Sequence, residues 1–328
     1  MTIRFSLLPT LIGIIIIIGT ATLPAAGSGE NIVSMVYVGE KGDNSYLSRA
    51  FQGLYETQEE FHFSIRYIPW KTSEPMDVVT DHSGVRSDAV IIMGNIMNGY
   101  EEEVVSQYPD IPVIIIDGSQ VTGPKTRSVY FSMYGASYLA GVLAANTTRT
   151  GNIGVIAGAN VPVLLGFTDG FVDGAHREKP DILVDISYIA DDYSGFSMPE
   201  RAGVLTSEMH RNGTDIIFQI AGLSGMGVID TAKELPGLFI IGSDADQSEL
   251  APDTVLASAI KRLDSVIYDE MNSIFTDSYA PGTEILGLHE GGSSLVLNPR
   301  FEDNLALIDT RRPEAAQREK DYLASRPQ

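Results

Sequence analysis

The sequence predicts an α/β protein with two mostly parallel sheets, and three observations support this fold class. From residue 31 onward, short apolar runs alternate with longer stretches whose apolar residues recur at helical spacing. The apolar runs are nearly continuous, which is typical of strands that helices cover on both faces. The chain has 328 residues, enough for two sheets of roughly 100–150 residues each.

The elements of the first half follow in regular order. Apolar residues at Tyr46, Leu47, Phe51 and Leu54 predict the first helix, and Pro109 ends the second because its ring cannot continue a helix. The expected strands are 32–38, 63–68, 89–93, 113–116 and 129–131, and the expected helices are 44–60, 101–108 and 135–148.

The second half repeats this alternation. Pro162 begins a helix where its missing N–H costs nothing, and Asn212 with Gly213 ends another. The expected strands are 153–156, 182–189, 215–220, 238–241, 255–259 and 284–288, and the expected helices are 162–178, 199–211, 224–233 and 263–275. Residues 299–328 are polar and charged, and we expect a surface extension there.

Residues 1–26 differ from the rest of the chain. Arg4 is their only charged residue, and an apolar stretch centred on five consecutive isoleucines precedes small residues from Ala25 onward. This order is typical of a secretory signal peptide. The stretch is also long enough to be an uncleaved membrane anchor. Both alternatives place residues from about 27 onward outside the cytoplasmic membrane.

Composition excludes several classes of site and partner. The chain has no cysteine, so disulfides, thiolate metal sites, a thiol nucleophile and a lipid-modified cysteine are excluded. Its net charge is −21 at pH 7. So acidic a surface repels phosphate backbones, and we expect no nucleic-acid partner.

The sequence offers no catalytic signature. It contains no HExxH motif, Walker A loop or GxGxxG loop, and its 5 histidines are scattered. Ser224 lies between a predicted strand and a helix, as in a nucleophile elbow, but Met226 stands where the elbow needs glycine. Ser224 is better interpreted as a helix N-cap. We therefore expect no enzymatic activity, no cofactor and no metal site.

Residues just after parallel strands are the candidates for ligand binding. Asp43 and Asn44 open the first helix, where they either cap it or hydrogen-bond a ligand. Phe51 is either a core residue or a ligand contact. Phe196 lies in a polar loop and either packs on its own domain or stacks on a planar ligand.

A second group of candidates follows the strands at 238–241 and 255–259. Asp244 can accept from two vicinal hydroxyls, or it caps a loop. Lys261 can pair with Asp244 or donate to a sugar oxygen, or it is a solvated helix start. A cation at a helix N-terminus opposes the helix dipole, which favours a specific role for Lys261.

Several longer motifs, in order and spacing, resemble the basic membrane protein family of substrate-binding proteins. This family includes the purine-nucleoside receptors of ABC-type uptake systems. The resemblance covers residues 31–292. Its most specific segments are 138–145, 150–154, 221–228, 242–247 and 250–256, followed by Lys261 and Arg262.

The resemblance implies a type I periplasmic-binding fold, with two Rossmann-like lobes joined by a hinge of three crossovers. The expected lobes are 31–132 with 255–278, and 133–254 with 279–298. It also implies a nucleoside-like ligand and delivery to an ABC-type membrane permease. A tethered ligand sensor of the same fold and a nucleoside hydrolase are the alternatives.

Residue roles follow from the same resemblance. Asp43 and Asn44 would contact the base, and Phe51 and Phe196 would sandwich it. Gly222 would let the backbone approach the ligand closely. Asp244 and Lys261 would hold the ribose hydroxyls. The sequence departs from the family pattern at Asn44, where lysine is usual.

Overall fold

The structure of the protein is a computed structural model that describes residues 31–39, 46–70, 77–94, 99–118 and 120–326. The predicted signal peptide or anchor at residues 1–26 lies outside the described residues, as do Asp43 and Asn44. Within the described part, no helix is sufficiently long and apolar to traverse a bilayer.

Strands and helices alternate along most of the described chain. The strands are β1 (Ile32–Tyr37), β2 (Ser64–Pro69), β3 (Ala89–Met93), β4 (Val113–Ile116), β5 (Thr126–Phe131), β6 (Asn152–Ala159), β7 (Leu183–Ala190), β8 (Ile216–Ile220), β9 (Phe239–Asp244), β10 (Val255–Lys261), β11 (Gly282–Leu286) and β12 (Ser293–Leu297). The helices are α1 (Tyr46–Phe61), α2 (Tyr100–Gln107), α3 (Tyr134–Thr147), α4 (Pro162–Glu178), α5 (Pro199–Arg211), α6 (Ser224–Lys233), α7 (Leu263–Phe275) and α8 (Leu305–Ser325).

The described strands form two six-stranded sheets, as the sequence predicts. The first has the order β11-β5-β4-β3-β1-β2 and is parallel throughout. The second has the order β12-β10-β9-β8-β6-β7, with only β12 antiparallel to its neighbour. Strand order reverses between β1 and β3 and again between β6 and β8. Such reversal points are where open α/β sheets bind ligands.

Each sheet is buried on both faces, which explains its near-continuous apolar strands. Side chains alternate between the faces of a strand. In β3, Ile91 joins the core cluster that contains residues of α1 and α7, while Ile92 joins the opposite cluster, which contains residues of α2. The second sheet is covered in the same way by α3, α4 and α8 on one face and by α5 and α6 on the other.

Within the described ranges, the chain crosses between the sheets three times, after β5, after β10 and after β11. The expected lobe boundaries differ from this pattern. Residues 255–261 form β10 of the second sheet rather than part of the first lobe, and residues 282–286 form β11 of the first sheet. The second and third crossovers therefore come later than expected, since β10 pairs with β9 and β11 pairs with β5 before the chain crosses.

The C-terminal segment is a packed helix rather than a polar extension. After a short 3-10 turn at Pro299–Asn304, α8 lies against α3. Ile308 and Ala315 are fully buried. The sequence of this segment is mostly polar because most positions of α8 face solvent, and its few buried positions did not predict a packed helix. The strand β12, which the sequence analysis did not predict, completes the second sheet.

Candidate ligand-binding site

The carboxyl ends of both sheets face a shared cavity. Its volume is about 170 Å³, somewhat more than the roughly 150 Å³ of an engineered cavity that holds benzene. The walls come from the ends of β1, β3 and β4 in the first sheet and of β8, β9 and β10 in the second. The lining residues are Val38, Gly39, Tyr46, Leu47, Met93, Gly94, Asp117, Val163, Leu164, Phe167, Tyr193, Phe196, Ser197, Ile220, Gly222, Leu223, Asp244 and Lys261.

A buried ion pair joins the two sheets in this cavity. Lys261, the last residue of β10, donates from Nζ to Oδ2 of Asp117 over 2.5 Å. Asp117 follows β4 of the first sheet, and its Oδ1 accepts from the backbone N–H of Phe131 over 2.9 Å. The side chains of Lys261 and Asp117 are 3% and 2% exposed. Pairing with Asp244 was one of the alternatives that the sequence left open for Lys261, and in the structure the direct hydrogen bond of Lys261 is to Asp117.

The surroundings of Lys261 keep its ammonium group charged. Burial alone would lower the pKa of Lys261, but the carboxylates of Asp117 and Asp244 outweigh burial, and the pKa is raised. Three aromatic rings also face the ammonium group, with centroids at 5.0 Å for Tyr46 and 5.6 Å for both Phe131 and Phe167. The Lys261 ammonium group is therefore a fixed positive charge that lies among aromatic rings where the two sheets meet.

Asp244 ends β9 in a conformation that few residues adopt. Its φ is +64°, and Asp117 is similar at +53°. Left-handed backbone at non-glycine residues is rare and gathers at functional sites. Behind Asp244, the side chain of Gln219 donates to Gln247 over 2.6 Å, and the backbone N–H of Gln247 donates to Ser258. These buried bonds hold the loop after β9, so that the Asp244 carboxylate is preorganised.

An aromatic wall forms the opposite side of the cavity. Phe196 stacks on Tyr193, with ring centroids 5.9 Å apart. A Cβ on Gly158 would lie 2.6 Å from the Phe196 ring, so the ring lies directly on that glycine. Gly222 has a φ of +55°, and a Cβ there would meet the same ring at 3.4 Å. Gly158 therefore allows the backbone to approach the ring as no larger residue could, whereas Gly222 is favoured by its left-handed backbone conformation.

Ser224 positions this wall and is not the N-cap that the sequence suggested. Its hydroxyl donates to the carbonyl of Gly195 over 2.7 Å and accepts from the N–H of Met198 over 2.6 Å. In α6 the N-cap position belongs to Leu223, and Ser224 is the first residue of the helix. Because Gly195 and Met198 flank Phe196, Ser224 fixes the loop that carries the ring.

The structure brings together four of the seven predicted site residues. Phe196, Gly222, Asp244 and Lys261 line one cavity. Phe51 does not line it: this side chain is 4% exposed in the core, edge-on to Tyr37. Phe51 therefore belongs to the core cluster of the first sheet, because its position on α1 faces the sheet. Asp43 and Asn44 lie outside the described residues.

Sequence reasoning missed Asp117 and three aromatic lining residues, Tyr46, Tyr193 and Phe167. Asp117 carried a usable signal, because it follows a buried strand as Asp244 does. The aromatic residues carried no such signal, since each sits at a helical or loop position that equally suits a core. Among the described residues, no group of three or more His, Cys, Asp and Glu side chains could hold a metal ion.

This arrangement can bind a neutral molecule that has both hydroxyls and a flat ring. Carboxylates at Asp117 and Asp244 can accept from hydroxyls, and Lys261 can donate to an oxygen. Rings at Phe196, Tyr193 and Tyr46 can pack on a planar group. Side chains from both sheets would contact the same molecule.

Comparison with known proteins gives an independent view of the chain. A family model described as "ABC transporter substrate-binding protein PnrA-like" matches residues 31–320. The chain is 37% identical to basic membrane protein D of Borreliella burgdorferi (strain JD1) over 209 residues, which cover 62% of this chain and 60% of that protein. It is 30% identical to basic membrane protein A2 of Borrelia garinii subsp. bavariensis over 283 residues, which cover 84% of this chain and 82% of that protein.

A solved structure with a similar fold is that of an ABC transporter solute-binding protein from Aeropyrum pernix K1. The TM-score is 0.71 at 21% sequence identity, covering 90% of this chain and 86% of that one. At this identity the likeness concerns the fold alone, and it confirms the predicted type I periplasmic-binding architecture.

Proposed function

Because this chain belongs to the PnrA-like family of ABC transporter substrate-binding proteins, we propose that its ligand is a nucleoside or a similar ribosylated molecule. The flat base lies against the wall of Phe196 and Tyr193. The ribose hydroxyls bind Asp244 and Lys261, with Asp117 as the fixed counter-ion of Lys261. Asp43 and Asn44 remain proposed base contacts.

One observation carries this proposal: a buried, paired lysine and a second carboxylate stand within an aromatic cavity. Charges this deeply buried cost several kcal/mol to desolvate unless polar partners satisfy them. A hydroxylated sugar offers both donors and acceptors to such groups, whereas an apolar ligand offers neither. The aromatic wall suits a base more than a second sugar, because a base offers a flat π-face.

We infer that capture proceeds by closure of the two halves around the ligand. The proposed contacts come from both sheets, with Asp117 in the first and Asp244 and Phe196 in the second. A ligand that contacts both halves binds the closed arrangement better than the open one, and this difference in affinity drives closure. No bond is made or broken, so the protein acts as a receptor rather than an enzyme.

The proposed receptor works outside the cytoplasmic membrane and delivers its ligand to an ABC-type permease. Residues 1–26 supply the export signal or the anchor in this proposal, and the absence of cysteine excludes lipid attachment through that residue. The membership of a transporter-associated family supports the permease as partner.

The direct test is identification of the bound molecule. Protein purified without denaturation is expected to release a nucleoside that mass spectrometry detects. Calorimetry with inosine is expected to give a Kd in the range of roughly 1 μM or tighter, with free ribose and free hypoxanthine at least about 100-fold weaker. Equal affinity for ribose and inosine would contradict the nucleoside proposal, and release of hypoxanthine from inosine would favour a hydrolase.

Substitution of the two phenylalanines is expected to separate binding from stability. Phe196→Leu should weaken inosine binding about tenfold by removing a stacking face, with little change in melting temperature. Phe51→Leu should lower the free energy of unfolding by about 1–2 kcal/mol and leave the inosine Kd unchanged. Calorimetry and urea unfolding measure the two effects. A reversed pattern would restore Phe51 to the site.

A further inference from the structure

A buried glutamate from the last helix touches two of the three connections between the sheets. Oε1 of Glu319 accepts from the hydroxyl of Ser132 over 2.6 Å and from the N–H of Gly135 over 3.0 Å. Its Oε2 accepts from the N–H of Leu288 over 2.7 Å. Ser132 lies in the connection after β5, and Leu288 lies in the connection after β11.

The Glu319 carboxylate joins the connections after β5 and β11 beyond the point where the two strands stop pairing. Next to the paired strands β5 and β11, the N–H of Ser132 donates to the carbonyl of Leu286 over 3.0 Å. Further along the chain, the backbone N–H of Gly135, in the first turn of α3, and that of Leu288, in the third connection, both donate to Glu319. A buried N–H that loses its acceptor is costly, so the carboxylate links the two chain segments strongly.

Two glycines form a cradle that fits this carboxylate. A Cβ on Gly287 would lie 2.4 Å from Oε2 of Glu319, and a Cβ on Gly135 would lie 3.0 Å from the same oxygen. Any larger residue at Gly287 would displace the carboxylate. The site is therefore built around the side chain, and Glu319 is 2% exposed within it.

The rest of α8 is fastened to the second half of the molecule. Tyr322 stacks on Tyr134 at 4.4 Å between ring centroids. Glu314 accepts from Arg177 over 2.8 Å and from Tyr138 over 3.1 Å. These contacts hold α8 on α3 and α4, so Glu319 reaches the connections from a fixed support.

We propose that Glu319 is a positioning residue for ligand capture: by tying the first and third connections to α8, it sets the range over which the two halves open. This proposal rests on the proposed function in one respect, because it assumes that the two halves move relative to each other. Lys261 ends β10 immediately before the middle connection, whose Arg262 N–H donates to the carbonyl of Gly292 in the third connection. The third connection, which Glu319 holds, is therefore also hydrogen-bonded to the residue that follows Lys261.

The test measures the separation of the halves directly. The native chain has no cysteine, so spin labels at Glu59→Cys and Arg201→Cys, both exposed, report one distance between α1 and α5. Glu319→Gln is expected to broaden the ligand-free distance distribution, because an amide offers only one oxygen for donors on two sides. The Kd for inosine is expected to rise about tenfold.

Glu314→Gln is the matched control, because it neutralises a carboxylate on the same helix that touches only the second half. It should keep the parent distribution and the parent Kd. Glu319→Asp retains the charge but is too short to reach both connections, and Gly287→Ala displaces an intact Glu319. Both variants should broaden the ligand-free distance distribution. They replace Glu319→Gln in the test if that variant does not fold.

An unchanged ligand-free distribution in folded Glu319→Gln, or in folded Glu319→Asp and Gly287→Ala, overturns the proposal. Broadening by Glu314→Gln to the same extent also overturns it, since any weakening of α8 would then suffice. The distance measurement needs no ligand. A parent protein that fails to bind inosine therefore counts against the proposed function and leaves the test of Glu319 intact.

Discussion

Asp244→Asn is expected to weaken inosine binding by at least about 100-fold. The carboxylate can accept from two neighbouring hydroxyls in charge-assisted bonds, each worth about 1.5–3 kcal/mol, whereas the amide keeps one neutral acceptor. Asparagine tolerates the left-handed backbone at this position, where φ is +64°. Isothermal calorimetry measures the change in Kd.

The melting temperature of the ligand-free Asp244→Asn variant should stay close to that of the parent. Lys261 keeps Asp117 as its direct partner, so no buried charge loses its only counter-ion. Asp246→Asn is the matched control: it removes an exposed carboxylate from the same loop, where that group accepts from Ser248. Unchanged affinity in Asp244→Asn would remove Asp244 from the site.

Lys261→Met is expected to cause the largest loss of stability, about 3–5 kcal/mol, because it leaves the buried Asp117 without its cation. Inosine binding should be lost as well. Urea unfolding of the ligand-free protein measures the stability change. Arg300→Met is the control, since it breaks an exposed pair with Asp253 and should cost less than about 1 kcal/mol.

A second substitution tests the cause of this loss. Adding Asp117→Asn to Lys261→Met should recover a large part of the stability, because the uncompensated carboxylate is then gone. A double variant no more stable than Lys261→Met would show that packing, rather than charge, accounts for the loss.

The stability that Lys261 contributes should persist through neutral and mildly alkaline pH. Its folded pKa is raised above the unfolded value of about 10.4. A group of this kind contributes fully below its unfolded pKa, and the contribution is lost as pH rises through the folded pKa. The stability difference between parent and Lys261→Met should therefore be constant from about pH 7 to about pH 9. A decline within this interval would contradict the raised pKa.

Local patterns in the sequence were sufficient for the fold class and for most of the elements, although not for β12 and α8. The helices at 162–178, 199–211, 224–233 and 263–275 have the predicted bounds, because prolines, an Asn-Gly pair and apolar periodicity mark them. Strand ends were less well placed. The second sheet's β9 and β10 extend past the apolar runs to Asp244 and Lys261, since pairing with neighbouring strands carries polar residues into the sheet.

The site could be predicted only in part, and the failures share a cause. Phe51 on α1 and Phe196 in the loop after β7 were both open to a core or a ligand role, yet one is in the core and the other lines the cavity. The sequence does not show which residues of α1 pack so closely against the sheet that a ligand cannot reach them. Asp117 was visible as a residue after a strand, but its role depends on Lys261, which is 144 residues away.

By itself, the sequence determined the two mostly parallel sheets, the order of elements up to β11 and the edge at which the ligand residues gather, because these depend on hydrophobic period and on chain breaks. The tertiary structure alone decided which strand joins which sheet, which acid pairs with Lys261, and that Glu319 of the last helix ties the connections together. Those are contacts between distant segments, and a one-dimensional pattern does not specify long-range pairing.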